Sequence, residues 1–300
     1  MKKITFTIIT LLFVSFAFSQ EEEDYQQKID SIEKSFNYEY GTISLKNNIG
    51  KIIIPNGFKY LNIEQSERVL TDLWGNPKYT DMTLGLILPE NQGIMDDNGY
   101  VFNIQYDEIG YVEDDDANKI DYDELLTQIQ DDSKEENKER IKEGYEPINI
   151  IGWASKPYYD KSKKILHWAK EIKFGDQEIN TLNYNIRILG RKGVLVLNAI
   201  ATIPDLTYVQ NDIPKVLDIV QFSEGNKYAD FDSSIDDVAA WTIGGLVAGK
   251  VLTKVGFFAL ILKFWKIILI AVAAFFKPLM NLFRKKNHEI TSSNQKELSE

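Results

Sequence analysis

Between Val255 and Phe276 the chain runs for 22 residues with two charges, Lys263 and Lys266. About 20 apolar residues are enough to cross a bilayer as a helix. Each central lysine costs roughly 2.5–3.5 kcal/mol on an insertion scale, and each Phe, Ile or Leu returns about 0.3–0.6 kcal/mol. The alternative is an amphipathic helix lying on the membrane surface. Phe257, Leu260, Ile261, Phe264, Ile267, Ile268 and Leu269 cover too wide an arc for a one-sided helix. The expectation is a membrane anchor helix over 242–283, and it limits the remainder to what can fold beside a bilayer.

The flanks give the orientation. Arg284, Lys285 and Lys286 follow the apolar run, and Asp230, Asp232, Asp236 and Asp237 precede it. Positive flanks stay cytoplasmic. The expected topology is single-pass in a bacterial cytoplasmic membrane, with the acidic domain outside and a cytoplasmic tail over 284–300. The other end agrees. Lys2 and Lys3 precede an apolar run from Ile4 to Phe18, and Ala17-x-Ser19 supplies a small-x-small cleavage site before Gln20. Residues 1–19 are therefore expected to be a signal peptide.

Residues 20–237 carry 23 Lys and Arg against 42 Asp and Glu, whereas 238–300 carry 9 against 3. An acidic domain argues against nucleic acid, which needs a cationic surface, and the basic tail suits an anionic membrane face. With no cysteine, the chain can form no disulfide, thiolate metal site or lipidated cysteine.

The region between the ends reads as a polar linker (20–36), open to a short helix over 21–35, then a folded domain (37–226) and an acidic connector (227–241). Strands are expected at 41–45, 51–54, 58–61, 84–88 and 100–106, with a helix over 64–73. Asp121 is placed as the N-cap of a helix that Gly144 stops, with Asp123 and Glu124 in its first turn and Leu125, Leu126, Ile129 and Ile141 as its buried stripe. Strands follow at 148–153, 165–174, 179–189 and 194–203. Within the third, Leu182, Tyr184, Ile186 and Ile188 alternate with Asn183, Asn185 and Arg187, the pattern of a half-buried antiparallel strand. A last helix over 212–220 carries Pro214 in its first turn. The order predicts one α+β domain with a curved antiparallel sheet.

Several segments taken together are Gly110-Tyr-Val-Glu-Asp-Asp-Asp-Ala117, Ile120-Asp121, Gly152-Trp153, Leu182-Asn-Tyr-Asn185, Leu189-Gly-Arg191, Tyr228-Ala-Asp-Phe231 and Val247-Ala-Gly-Lys250. In combination they resemble a bacterial family of uncharacterised membrane-anchored proteins that carry a domain of unknown function. The resemblance covers nearly the whole mature chain and implies an anchor but no activity. The element order is also similar to the Mog1/PsbP-like α+β sandwich.

The chain carries no Gly-x-Ser-x-Gly, P-loop, Gly-x-Gly-x-x-Gly or His-Glu-x-x-His motif. Of two histidines, His167 falls on a strand face with Glu171 and Lys173, and His288 lies in the tail. Asp114, Asp115 and Asp116 could offer oxygen ligands to Ca²⁺, but the run lacks the spacing of an EF-hand loop, so a solvated loop competes with that reading. Paired carboxylates could serve a glycosidase, at a separation that sequence does not give. Trp74, Trp153 and Trp168 could stack on a ligand or fill the core.

The function expected is a membrane-anchored, non-enzymatic sensor, scaffold or partner-binding module of the cell envelope. The rivals are a carboxylate-based envelope hydrolase and an accessory subunit of a membrane complex. At about 100° per residue, Gly245, Gly249, Gly256 and Lys263 share one face of a continuous helix, and Gly245-x-x-x-Gly249 has the spacing that lets helices approach closely. That face is the expected contact for self-association or for another membrane or envelope protein.

Overall fold

The computed structural model describes residues 26–75, 83–96 and 99–250. All belong to one compact unit. Its centre is a seven-stranded antiparallel sheet in the order β3-β4-β5-β9-β8-β7-β6. The strands are β3 (Phe58–Leu61), β4 (Gly85–Pro89), β5 (Val101–Asp107), β6 (Ile148–Asp160), β7 (Ile165–Phe174), β8 (Thr181–Leu189) and β9 (Val194–Thr202). A second antiparallel sheet joins β1 (Thr42–Ser44), β2 (Gly50–Ile53) and β10 (Val220–Phe222), with β2 in the middle. The α+β class and the antiparallel sheets are as the sequence predicts.

Period-2 alternation gives the large sheet two faces. One carries Tyr60, Ile87, Phe102, Ala199, Tyr184 and Ala169 in a single cross-strand row. Ile52 of β2 and helix α4 (Leu206–Leu217) close this face, α4 through Val209, Ile213 and Val216. The opposite row reads Leu61, Leu86, Asn103, Asn198, Asn185 and Trp168. Over its first strands a cluster of Phe36, Val69 and Ile94 packs on Leu61, Leu86, Leu88 and Val101. This cluster draws on α1 (residues 26–34) and α2 (Ile63–Glu67), which continues as a wider turn over Arg68–Leu73. At the other edge lies α3 (Tyr122–Lys142), with the short α5 (Ile243–Ala248) against it.

Helix α3 also solves an edge problem. β6 is a long edge strand, which leaves backbone groups open to pairing with another chain. Asn137 accepts from Ile148 N at 2.7 Å and donates to Ile148 O at 2.8 Å, and Gln130 Nε2 donates to Ile150 O at 3.1 Å. The second half of β6 carries Pro157 and register shifts, which also blunt an edge.

Of the two readings of the first polar stretch, a linker or a short helix, residues 26–34 take the helix, and its Glu33 accepts from Ile94 N at 2.9 Å. Three departures from the sequence reading have local causes. Helix α4 starts at Leu206 rather than 212. Pro204, in a turn capped by Thr202 and Asp205, marks its start, and Pro214 sits inside it. Ile141, placed on the buried stripe of α3, is 59% exposed because the helix has passed the sheet edge by then. Helix α5 runs only from Ile243 to Ala248, and Gly249 after it takes a left-handed φ of 75°. The 100° projection from Gly245 and Gly249 onto Gly256 and Lys263 therefore does not carry through Gly249. Gly256 and Lys263 lie outside the described residues, as do the signal peptide, most of the anchor and the tail. Among the described residues no helix is long and apolar enough to cross a membrane.

Candidate functional site

The acidic loop after β5 does not stand free in solvent. Gly110 starts it with φ +89°, and a Cβ there would lie 2.8 Å from Asp237 O, so the chain can pass only as glycine. Gly110 N donates to Lys192 O at 3.0 Å. Tyr111 then pairs with the segment 225–242 that leads to α5. Tyr111 N donates to Asp237 O at 2.9 Å, and Ala239 N donates to Tyr111 O at 2.8 Å. The Tyr111 ring stacks on Phe231 with centroids 3.9 Å apart, and the Tyr228 ring lies 4.5 Å away. The segment read as an acidic connector is a strap held flat on the domain.

Asp114 is the centre of this clasp. Its side chain is 16% exposed and takes Lys164 Nζ at 2.7 Å, Tyr159 Oη at 2.7 Å and Tyr228 Oη at 3.3 Å. Lys164 comes from the β6–β7 hairpin, where it holds φ +59°, an uncommon conformation for a non-glycine residue. Its ammonium also lies 4.6 Å from the Tyr228 ring centroid. Burial alone would raise the Asp114 pKa, but the Lys164 and tyrosine donors outweigh it and hold the carboxyl below its usual range. Burial and the bond to Asp114 raise the Tyr159 pKa; Tyr228 is raised by burial and by its contacts with Tyr111 and Asp114.

The neighbouring acids have other partners. Asp116 accepts from Ile243 N at 3.2 Å and Gly244 N at 3.1 Å, and Thr242 Oγ1 accepts from Gly245 N at 3.1 Å. Together they close the first turn of α5. Asp115 faces solvent with Lys119 Nζ 4.0 Å away, a pair worth little. The three aspartates singled out as calcium candidates thus point to three different places. Among the described residues no group of three or more His, Asp or Glu is placed to hold a metal ion.

A second tie fastens the strap. Arg191, in the β8–β9 hairpin, donates from Nε to Asp236 Oδ2 at 2.7 Å and from an Nη to Gly225 O at 3.1 Å. That bond lowers the Asp236 pKa and raises that of Arg191. Arg191 stands in the Leu189-Gly-Arg191 motif, but its partner Asp236 lies 45 residues away, beyond the reach of any local pattern.

Three of the segments that carried the family resemblance therefore meet here: 110–117, 189–191 and 228–231. A family model for a protein of unknown function, DUF2167, matches residues 37–277. The chain belongs to the DUF2167 family. The match takes in the whole sheet, the clasp, the strap and most of the apolar run. A search of curated proteins finds no match. Among solved structures, the solution structure of cyanobacterial PsbP (CyanoP) from Synechocystis sp. PCC 6803 is similar at 10% identity. The alignment covers 61% of this chain and 91% of that one, with a TM-score of 0.35.

The other candidates fall elsewhere in this DUF2167 domain. His167 is half-buried, and its Nδ1 lies 3.0 Å from Tyr184 Oη. Burial lowers its pKa against a smaller opposing pull from Asp160. Trp153 Nε1 donates to Tyr122 O at 3.1 Å, which joins β6 to α3. Trp168 is buried under the Arg187 guanidinium, 5.1 Å from the ring centroid, and Trp74 is 39% exposed.

Proposed function

We propose that this DUF2167 protein is a tethered envelope module: an acidic domain, translocated behind a cleaved signal peptide, held on the outer face of the cytoplasmic membrane by a single anchor that follows α5. Its role is to bind partners rather than to turn over a substrate. The observation that carries this reading is the clasp. Asp114 and Asp116, the strongest acidic candidates, are occupied in fastening the strap and capping α5, and they hold the described chain to the domain as far as Lys250. The family match supports a tail that belongs with the domain, because it extends to residue 277 and stops short of Arg284-Lys285-Lys286.

The partners proposed are the membrane itself and other membrane or envelope proteins, or a second copy meeting the first through the anchor near Gly256 and Lys263. Crosslinking in native membranes, followed by identification of the adducts, tests this. A discrete adduct that Lys263→Leu weakens supports an anchor interface. Protein recovered in the soluble fraction after alkaline extraction sinks the tether. Gly249→Leu is a poor probe of that interface, since a leucine at φ 75° strains the end of α5 whatever the anchor contacts.

A further inference from the structure

Between α3, β6 and the end of α5 lies a cleft of about 430 Å³ that reaches Lys170 of β7. Ile129, Ser133 and Asn137 form the α3 wall, and Ala248 to Lys250 close one end. The charged groups on the rim are largely engaged. Asp132 pairs with Lys250, Glu135 Oε2 lies 2.6 Å from Lys138 Nζ, and Arg140 Nε donates to Glu146 O at 3.1 Å. Glu136 is exposed to solvent.

Lys170 differs from all of these. It is partly buried, and among the described residues its ammonium has no hydrogen-bond or ion-pair partner. Burial, and then the positive charge of Arg187, pull its pKa below the ordinary lysine value. Further donors lie on the same strand and on the neighbouring helix and strand, outside the cleft lining. Trp168 Nε1 and Tyr122 Oη are buried with no partner among the described residues. Arg187 hydrogen-bonds to neutral oxygens, Asn198 Oδ1 and Ile186 O at 3.0 Å and Asn185 Oδ1 at 3.3 Å, and the Asp107 carboxylate is the counter-charge that acts on it. Buried donors are nearly always satisfied, and a buried cation without a counter-charge is costly. Asp107 supplies counter-charge to Arg187 and Asp116 lies near Tyr122, which leaves Lys170 as the cation of the cleft lining without an acidic partner among the described residues.

We propose that the cleft binds an anionic oxygen group, a phosphate or carboxylate, on Lys170 Nζ, with Arg187 behind it adding positive field. The group would come from a free oxyanion or from a lipid headgroup near the point where the chain leaves α5. The two sources share their chemistry and separate by experiment.

The test uses the full chain in neutral detergent micelles, with ionic strength held constant by chloride. Inorganic phosphate is titrated while the melting temperature is followed. Binding to the folded state alone should give a saturable rise of roughly 2–4 °C. Lys170→Met should abolish the rise, and Lys46→Gln, exposed and outside the cleft, should keep it. The methionine variant removes an unpaired buried charge and keeps the length of the side chain, so it should melt no lower than the parent. In a parallel arm the chain is placed in nanodiscs of phosphatidylcholine with or without phosphatidylglycerol. A Lys170-dependent rise with the anionic lipid, competed by phosphate, identifies the headgroup. A rise with phosphate alone identifies a free oxyanion. No rise in either arm, or an equal rise in Lys170→Met, overturns the proposal. The phosphate arm needs no membrane, so its outcome is independent of the tether.

Discussion

Removing the Asp114 carboxylate should loosen the strap before it harms the sheets. In Asp114→Ala, Lys164 and Tyr159 each lose a partner at 2.7 Å, while Tyr228 keeps Val112 O at 2.9 Å. A hydrogen bond to a charged group contributes about 1.5–3 kcal/mol. The Lys164 side chain is 25% exposed and recovers part of its hydration, so two such bonds are discounted. The loss is about 3 kcal/mol, or a fall in Tm of roughly 6–12 °C for a domain of this size. Lys164→Met and the double variant complete a cycle, with an expected coupling of about 1–2 kcal/mol. Trypsin supplies the local readout. Lys227 lies at the foot of the strap, and Asp114→Ala should be cut there well before global unfolding. A Tm within about 2 °C of the parent, or cleavage at Lys227 at the parental rate, would refute the clasp.

Three further outcomes follow from other parts of the fold. Asp116→Ala should cost about 1 kcal/mol, the usual value of a lost helix cap, and should speed hydrogen exchange at Ile243 and Gly244 more than elsewhere. Asn137→Leu leaves Ile148 N–H without its acceptor and should cost about 1–3 kcal/mol, with a rise in concentration-dependent aggregation as the β6 edge is uncovered; a monomer of unchanged stability would count against edge protection by α3. His167 has a lowered pKa in the folded state, so its contribution is complete above about pH 6.5 and is lost as pH falls below that value. Tm should therefore drop less steeply between about pH 7 and pH 5 in His167→Gln than in the parent, and parallel curves would show that His167 does not carry this dependence.

The parts legible in the sequence were those set by local chemistry. Asp121 accepts from Asp123 N at 3.0 Å and Glu124 N at 3.1 Å as the N-cap of α3, and Gly144 follows its end with φ +87°. The hairpin at 190–193 joins β8 to β9 as read. The alternation in β8 was read correctly as two faces but not as two buried ones. The alternation with Asn183, Asn185 and Arg187 is that of a half-buried strand, yet Asn185 is 5% exposed and Arg187 stacks over Trp168. A period of two separates faces and says nothing of what later covers them. The cover here comes from distant helices. The strap was missed for a related reason. It has no regular period, and its partners lie far away in sequence: Tyr228 meets Val112 across 116 residues, and Asp116 meets Ile243 across 127. A charge run such as 113–116 looks uniform until the fold assigns each carboxylate a different neighbour.

The tether is tested most directly by its topology. The chain has no cysteine, so each introduced thiol is the only one present. Ser162→Cys, in the exposed β6–β7 hairpin, and Ser299→Cys, near the C-terminus, are expressed singly and treated with a membrane-impermeant maleimide on intact spheroplasts. The account predicts labelling at position 162 in intact spheroplasts and at position 299 only after lysis, with both proteins in the membrane fraction. Labelling at 299 but not at 162 in intact spheroplasts, or recovery of the chain in the soluble fraction, would contradict it.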